Sequence, residues 1–92
     1  MAYNFDNEES VVLGLVDKND HGEKIQIQKI TNKKTGSESI DVRLMYTPEG
    51  STSIAPTKKG VRFSTDILLP VVEALLEGLS EDERQEIVDK IS

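Results

Sequence analysis

Ninety-two residues make one small domain, just under the usual scale of roughly 100–150 residues. Eleven Lys and Arg against seventeen Asp and Glu give a net charge of -6, and 36% hydrophobic with 30% charged residues is the balance of a globular domain in water. The absence of Cys excludes a disulfide scaffold, a Cys-ligated zinc site and a thiol nucleophile, and a single histidine, His21, excludes His-pair metal motifs. No apolar run approaches the roughly 18 residues of a membrane span. The start, Met1-Ala2-Tyr3-Asn4-Phe5-Asp6, has neither a basic nor an apolar leader region, so no secretory signal is expected. A chain this short buries a marginal core alone, which favours oligomerisation.

Residues 1–10 are polar and without periodicity and are expected to form a flexible start. Val11-Val12-Leu13-Gly14-Leu15-Val16 reads as a strand, and the turn formers Asp17 to Gly22 close it. Ile25 and Ile27 alternate with Lys24, Gln26 and Gln28, and the alternation slips at Ile30, where a bulge or a strand end is expected. A polar loop, Thr31 to Ser37, leads to the clearest strand, in which Ile40, Val42, Leu44 and Tyr46 alternate with Asp41, Arg43 and Met45. Thr47-Pro48-Glu49-Gly50 fits a type I turn, and Ser51 to Ala55 a short returning strand that Pro56 ends. Thr57-Lys58-Lys59-Gly60 reads as a further turn before a last short strand around Val61 and Phe63.

The period then changes. Leu68, Val71, Val72, Leu75 and Leu79 fall at helical spacing, with Pro70 near the helix start. Ser80-Glu81-Asp82-Glu83 is a capping box for a second, acidic helix faced by Ile87, Val88 and Ile91. The expected fold is α+β: a curved antiparallel sheet of four to five strands, a long amphipathic helix and a short C-terminal helix. Its divisions are 1–10, 11–79 for sheet and helix, and 80–92 for the acidic helix. Apolar residues reach most of the way round the first helix, so Leu68, Val71, Val72, Leu75, Leu76 and Leu79 are expected at a homodimer interface unless the second helix covers them.

The charge is unevenly placed: residues 1–21 carry a net -4, residues 22–63 a net +4 and residues 64–92 a net -6. No nucleophile–base pair, phosphate loop or calcium loop is present, and Glu73/Glu77 and Asp82/Glu86 are i, i+4 pairs of a wet helix face, so no catalysis and no cofactor is expected. The basic middle holds what nucleic acid requires, cations for phosphates and a flat ring for bases: Lys29, Lys33, Lys34, Arg43, Tyr46, Lys58, Lys59 and Arg62. Each also has an ordinary reading. Lys33 and Lys34 fit a solvated loop; Tyr46 shares the strand parity of Ile40, Val42 and Leu44 and fits the core; Arg43 has the opposite parity.

The order of these parts resembles the C-terminal domain of positive cofactor 4, a transcriptional coactivator family with bacterial and phage relatives. The resemblance is carried by Ile40-Asp41-Val42-Arg43-Leu44-Met45-Tyr46-Thr47-Pro48-Glu49-Gly50 and by Pro56-Thr57-Lys58-Lys59-Gly60-Val61-Arg62-Phe63-Ser64, and it covers roughly residues 24–79. It implies a curved sheet, dimerisation through the helices and binding of single-stranded DNA or melted duplex, with RNA a further candidate partner that the residues do not separate from DNA. It places Arg43 at the family's phosphate-contacting arginine, Tyr46 at its stacking tryptophan, Lys58 and Lys59 at its basic pair, and Lys33 and Lys34 in its basic loop, here without the aromatic. It also implies contact with the transcription machinery, in the cytoplasm and nucleoid if prokaryotic or phage and in the nucleus if eukaryotic. The alternative expectation is a protein-interaction module whose acidic ends dock a basic partner, with weak or no DNA binding.

Overall fold

A computed structural model describes residues 7–91. Four strands, β1 (Glu8–Asp17), β2 (Lys24–Asn32), β3 (Glu38–Tyr46) and β4 (Ala55–Ser64), form one sheet in the order β1-β2-β3-β4, and every neighbouring pair is antiparallel. A 3-10 turn, Thr65–Ile67, leads into helix α1 (Leu68–Leu76), followed by α2 (Glu81–Ile91). The α+β order of an antiparallel sheet and then two helices is as expected; several local expectations are corrected. Residues 8–10 belong to β1 rather than to a flexible start, while residues 1–6 and 92 lie outside the described part. Ile30 neither bulges nor ends β2. It lies on the sheet's second face with Gln26 and Gln28 and is buried there, so the slip in hydrophobic period records an apolar residue buried on the otherwise polar face. The irregularity sits instead in β1, where Leu13 is an extra residue between Val12, opposite Gln28, and Gly14, opposite Ile27.

The register sorts side chains onto two faces. One carries Val11, Val16, Ile25, Ile27, Ile40, Val42, Leu44, Tyr46, Val61 and Phe63; the other carries Glu8, Ser10, Gln26, Gln28, Asp41, Arg43 and Arg62. Ile30 and Met45 lie on the polar face yet are buried, and with Ile40 they are the only buried apolar residues described.

The β1–β2 turn is organised by Asn19, whose Oδ1 accepts from the His21 and Glu23 amides while its Nδ2 donates to Glu23 Oε1 at 2.7 Å. That bond, reinforced by Lys18, holds the Glu23 carboxyl below its ordinary value of 4.5. A depressed carboxyl pKa gives stability that is present above the unfolded value and lost as pH falls through the folded one. The turn amides should therefore lose protection, measured against their intrinsic exchange rates, as pH falls below the ordinary carboxyl value of 4.5; an Asn19→Ala variant that kept the same acid profile of protection would contradict this.

The β3–β4 connection is displaced by one residue from the expected turn. Ser51 N–H donates to Pro48 O at 3.0 Å and Gly50 takes a φ of 79°, the positive value that position i+2 of a type II turn requires. No strand forms over residues 51–54, and β4 continues through Pro56 and through the expected Lys58-Lys59 turn. Pro is accommodated because β4 is an edge strand, and residues 57–59 bulge out opposite Leu44.

The long helix of the sequence reading is nine residues in the structure. After Leu76 the amides of Glu77, Gly78 and Leu79 donate to the carbonyls of Ala74, Leu75 and Leu76, a tightened last turn that closes α1 and leaves Leu79 outside it. Ser80 then opens α2 with the reciprocal cap: Ser80 N–H donates to Glu83 Oε1 at 3.0 Å and Glu83 N–H to Ser80 Oγ at 3.2 Å. Ser80→Ala should lower α2 stability by about 1 kcal/mol, seen as lost helical circular dichroism without loss of the sheet. Neither helix contains a buried residue. Between α1 and the apolar sheet face lies an open groove of about 300 Å³, walled by Leu68, Val71, Val72 and Leu75 on one side and by Ile27, Ile40, Val42, Val61 and Phe63 on the other.

Candidate nucleic-acid interface

The polar face is built around Asp41. Its neighbours two residues away share its face by strand period, so Asp41 and Arg43 meet. The guanidinium donates from Nε to Asp41 Oδ2 at 3.1 Å and from Nη2 to Oδ1 at 2.8 Å, a bidentate pair, and from Nη1 to the Thr57 carbonyl at 3.0 Å. Arg62, opposite Asp41 on β4, brings Nε to 3.7 Å from the same carboxylate and Nη1 to 3.9 Å from Glu8. The Asp41 side chain is 4% exposed and that of Arg43 25%. The hydrogen bond to Asp41 holds the Arg43 guanidinium above its ordinary value, so it stays charged at every working pH. Lys24 pairs with Asp17 at the far end. Every cation of this face thus has a carboxylate, and the cavity of about 340 Å³ lined by Glu8, Ser10, Gln28, Asp41, Arg43 and Arg62 is close to neutral.

Gly60 is what lets Arg43 lie down on the sheet. A Cβ there would stand 2.7 Å from the Val42 carbonyl oxygen and 3.0 Å from Arg43 Cζ, closer than real contacts allow. Gly60→Ala should therefore cost about 1–3 kcal/mol by overpacking. An unfolding midpoint in urea equal to that of the unaltered protein would refute this close approach.

The other predicted cations are elsewhere. Lys33 and Lys34 occupy the β2–β3 turn, which Asn32 fastens: its Oδ1 accepts from the Lys34 and Thr35 amides, and Gly36 N–H donates to its carbonyl at 2.7 Å. Lys58 and Lys59 protrude from the β4 bulge, which Thr57 braces by donating Oγ1 to the Leu44 carbonyl at 2.8 Å and accepting from Lys59 N–H at 3.0 Å. Among the described residues these four lysines, all exposed, make no ion pair. The two pairs lie near opposite ends of the sheet, separated along the strands by roughly 20 Å at 3.3 Å per residue. Lys29 is on the apolar side, opposite Ile40 and Val11, and pairs with Glu38 at 3.2 Å. Tyr46 also falls on that side, opposite Ala55 at the sheet's end, and is 42% exposed.

The expected single basic surface is therefore divided: arginines neutralised in the middle, lysines unpaired at two ends, and Tyr46 across the sheet from Arg43. Parity already separated the last two, and the bulge in β4, opposite Leu44, comes too late to reunite them. The sequence reading did not single out Asp41, Gln26 or Glu8 as site residues. Asp41 was legible, since an acid two positions before an arginine in a strand shares its face; Glu8 was not, because it reaches Arg62 only through the pairing of the strands between them. Of the helix residues expected at an interface, Leu68, Val71, Val72 and Leu75 line the apolar groove, whereas Leu76 and Leu79 do not.

His21 is exposed in the β1–β2 turn, and among the described residues no cluster of His, Asp and Glu is placed to hold a metal ion. No helix among the described residues is long and apolar enough to cross a membrane. No protein-family model, no curated protein and no solved structure matches the chain.

Proposed function

We propose that the chain is a non-catalytic, homodimeric single-stranded nucleic-acid-binding protein of the positive cofactor 4 type, serving transcription or replication and repair. The observation that carries this reading is the two exposed lysine pairs, Lys33 with Lys34 and Lys58 with Lys59, which make no salt bridge among the described residues and lie near the two ends of a sheet whose polar-face cations are already paired; only Lys59 feels a nearby acid, Glu23, and at longer range. A flexible single strand can bridge two separated cationic points and lay a base on the exposed ring of Tyr46, whereas a stiff duplex must match the spacing. In this arrangement Arg43 is a positioning residue for the β4 bulge, through its bond to the Thr57 carbonyl, rather than a free phosphate ligand. The open groove under α1 supports the helix-mediated dimer, because a second copy's apolar helix would remove its walls from water.

A labelled oligo-dT of about 20 nucleotides, followed by fluorescence anisotropy at low and moderate salt with unlabelled duplex as competitor, tests this. Salt-sensitive binding that duplex does not displace is the expected result. No binding at low salt would reject it in favour of a protein-docking module, a reading that the neutralised arginines and the acid-rich α2 support.

A further inference from the structure

The two edges of the sheet are treated differently. β4 carries Pro56, a bulge and the exposed Lys58 and Lys59, features that discourage another strand from adding. β1 has no Pro and no Lys over its ten residues, and Val11, Val12, Leu13, Leu15 and Val16 are all exposed, by 47 to 60%. A long, apolar, unprotected edge is a template for strand addition. We infer that β1 pairs antiparallel, about a two-fold axis, with β1 of a second copy of this chain, in the register that sets Val11 against Val16.

β1 itself selects the occupant. Residues directly opposite one another in an antiparallel pair point to the same face. In a regular strand Val11 and Val16, five apart, would point to opposite faces. The extra residue at Leu13 changes this: Val11 and Val16 both lie on the face of Ile25 and Ile27, while Val12 and Leu15 both lie on the face of Gln26 and Gln28. A two-fold axis between Leu13 and Gly14 then places Val11 opposite Val16, Val12 opposite Leu15 and Ser10 opposite Asp17, every pair on a common face. It also brings Glu9 to Lys18, an opposite-charge pair, and sets Leu13 beside Gly14, where the space that a Cβ would take is open. Moving the axis between Val12 and Leu13 instead would set Glu8 against Asp17, two acids. The strand is thus complementary to itself in parity, apolar content and charge, and the extra residue at Leu13 is what makes the pairing with its own copy consistent in face. This contact is separate from the α1 groove, and it stands whether or not the chain binds nucleic acid.

The chain has no Cys, so single substitutions report cleanly. Val11→Cys and Val16→Cys are made separately, checked for folding by circular dichroism, mixed and oxidised. Directly opposed positions fall within disulfide reach, whereas Val11 and its own copy would be roughly 17 Å apart in this register. The expected result is a covalent dimer in the mixture at ten-fold or more over either variant alone. Equal dimer in all three samples, a dimer of the Val11→Cys variant alone, or none in the mixture would each overturn the pairing. Leu15→Lys, on the outer edge strand, should lower the mass measured by light scattering while oligonucleotide affinity does not fall. Leu75→Glu tests the α1 groove independently, so the two interfaces fail separately.

Discussion

Asp41→Ala should be among the most destabilising single substitutions in this protein, lowering unfolding free energy by about 3 kcal/mol. The carboxylate is buried and accepts two charge-assisted bonds from Arg43 while lying 3.7 Å from Arg62, so its removal strands one half-buried cation and weakens the hold on a second. Urea denaturation measures the loss. The same change should move binding the other way. Two arginines released from their carboxylate become available to phosphate, so oligo-dT affinity at low salt should rise several-fold and its salt dependence steepen, by about 0.7 in log–log slope for each new phosphate contact. Asp41→Asn, which keeps volume and some hydrogen bonding, should show the binding gain at smaller cost in stability. A stable Asp41→Asn variant with weaker oligonucleotide binding would mean that the Asp41–Arg43 pair itself touches the ligand.

Replacing Lys33, Lys34, Lys58 and Lys59 together by Gln should abolish most single-strand affinity with little loss of stability. The four side chains are exposed and unpaired among the described residues, and surface substitutions of that kind stay within about 0.5 kcal/mol each. Counterion release assigns four phosphate contacts a slope of about -2.8 on single strands, equivalent to roughly 50-fold in affinity between 50 and 200 mM salt. Anisotropy over a salt series reads both numbers. Each pair alone should remove about half of the slope, since the pairs lie at opposite ends of the sheet. An unchanged slope in the quadruple variant would place binding on the arginines or exclude it. Arg43→Ala is the poorer probe, because it also removes the bracing of the β4 bulge at Thr57.

The cores of β1, β2 and β3, the three turn regions that hold Gly22, Gly36 and Gly50, and the presence of two helices could be read from the sequence because each rests on local chemistry: period-two alternation, glycine at positive φ, and a Ser80–Glu83 cap that closes within four residues. What could not be read depended on neighbours in the sheet. Whether Pro56 ends a strand depends on which strand lies beyond it, and here none does. Whether Ile30 is out of phase depends on whether the second face is covered. The candidate site suffered most, since a list of cations says nothing about which carboxylates fold beside them. Asp41 was part of the motif that carries the family resemblance, yet its effect on Arg43 and Arg62 follows only from strand period and register together.

The bulged, lysine-bearing, proline-containing β4 has a consequence for how far association can go. A sheet with two receptive edges can add copies without end and become a fibre. With one edge receptive and the other closed, growth in the hydrogen-bonding direction stops at the first addition. For a small domain that leaves nine exposed residues of apolar-rich strand at one side, this is the difference between finite association and precipitation. The substitutions to avoid in handling this protein are therefore those that would make Pro56, Lys58 and Lys59 resemble Val11 to Val16.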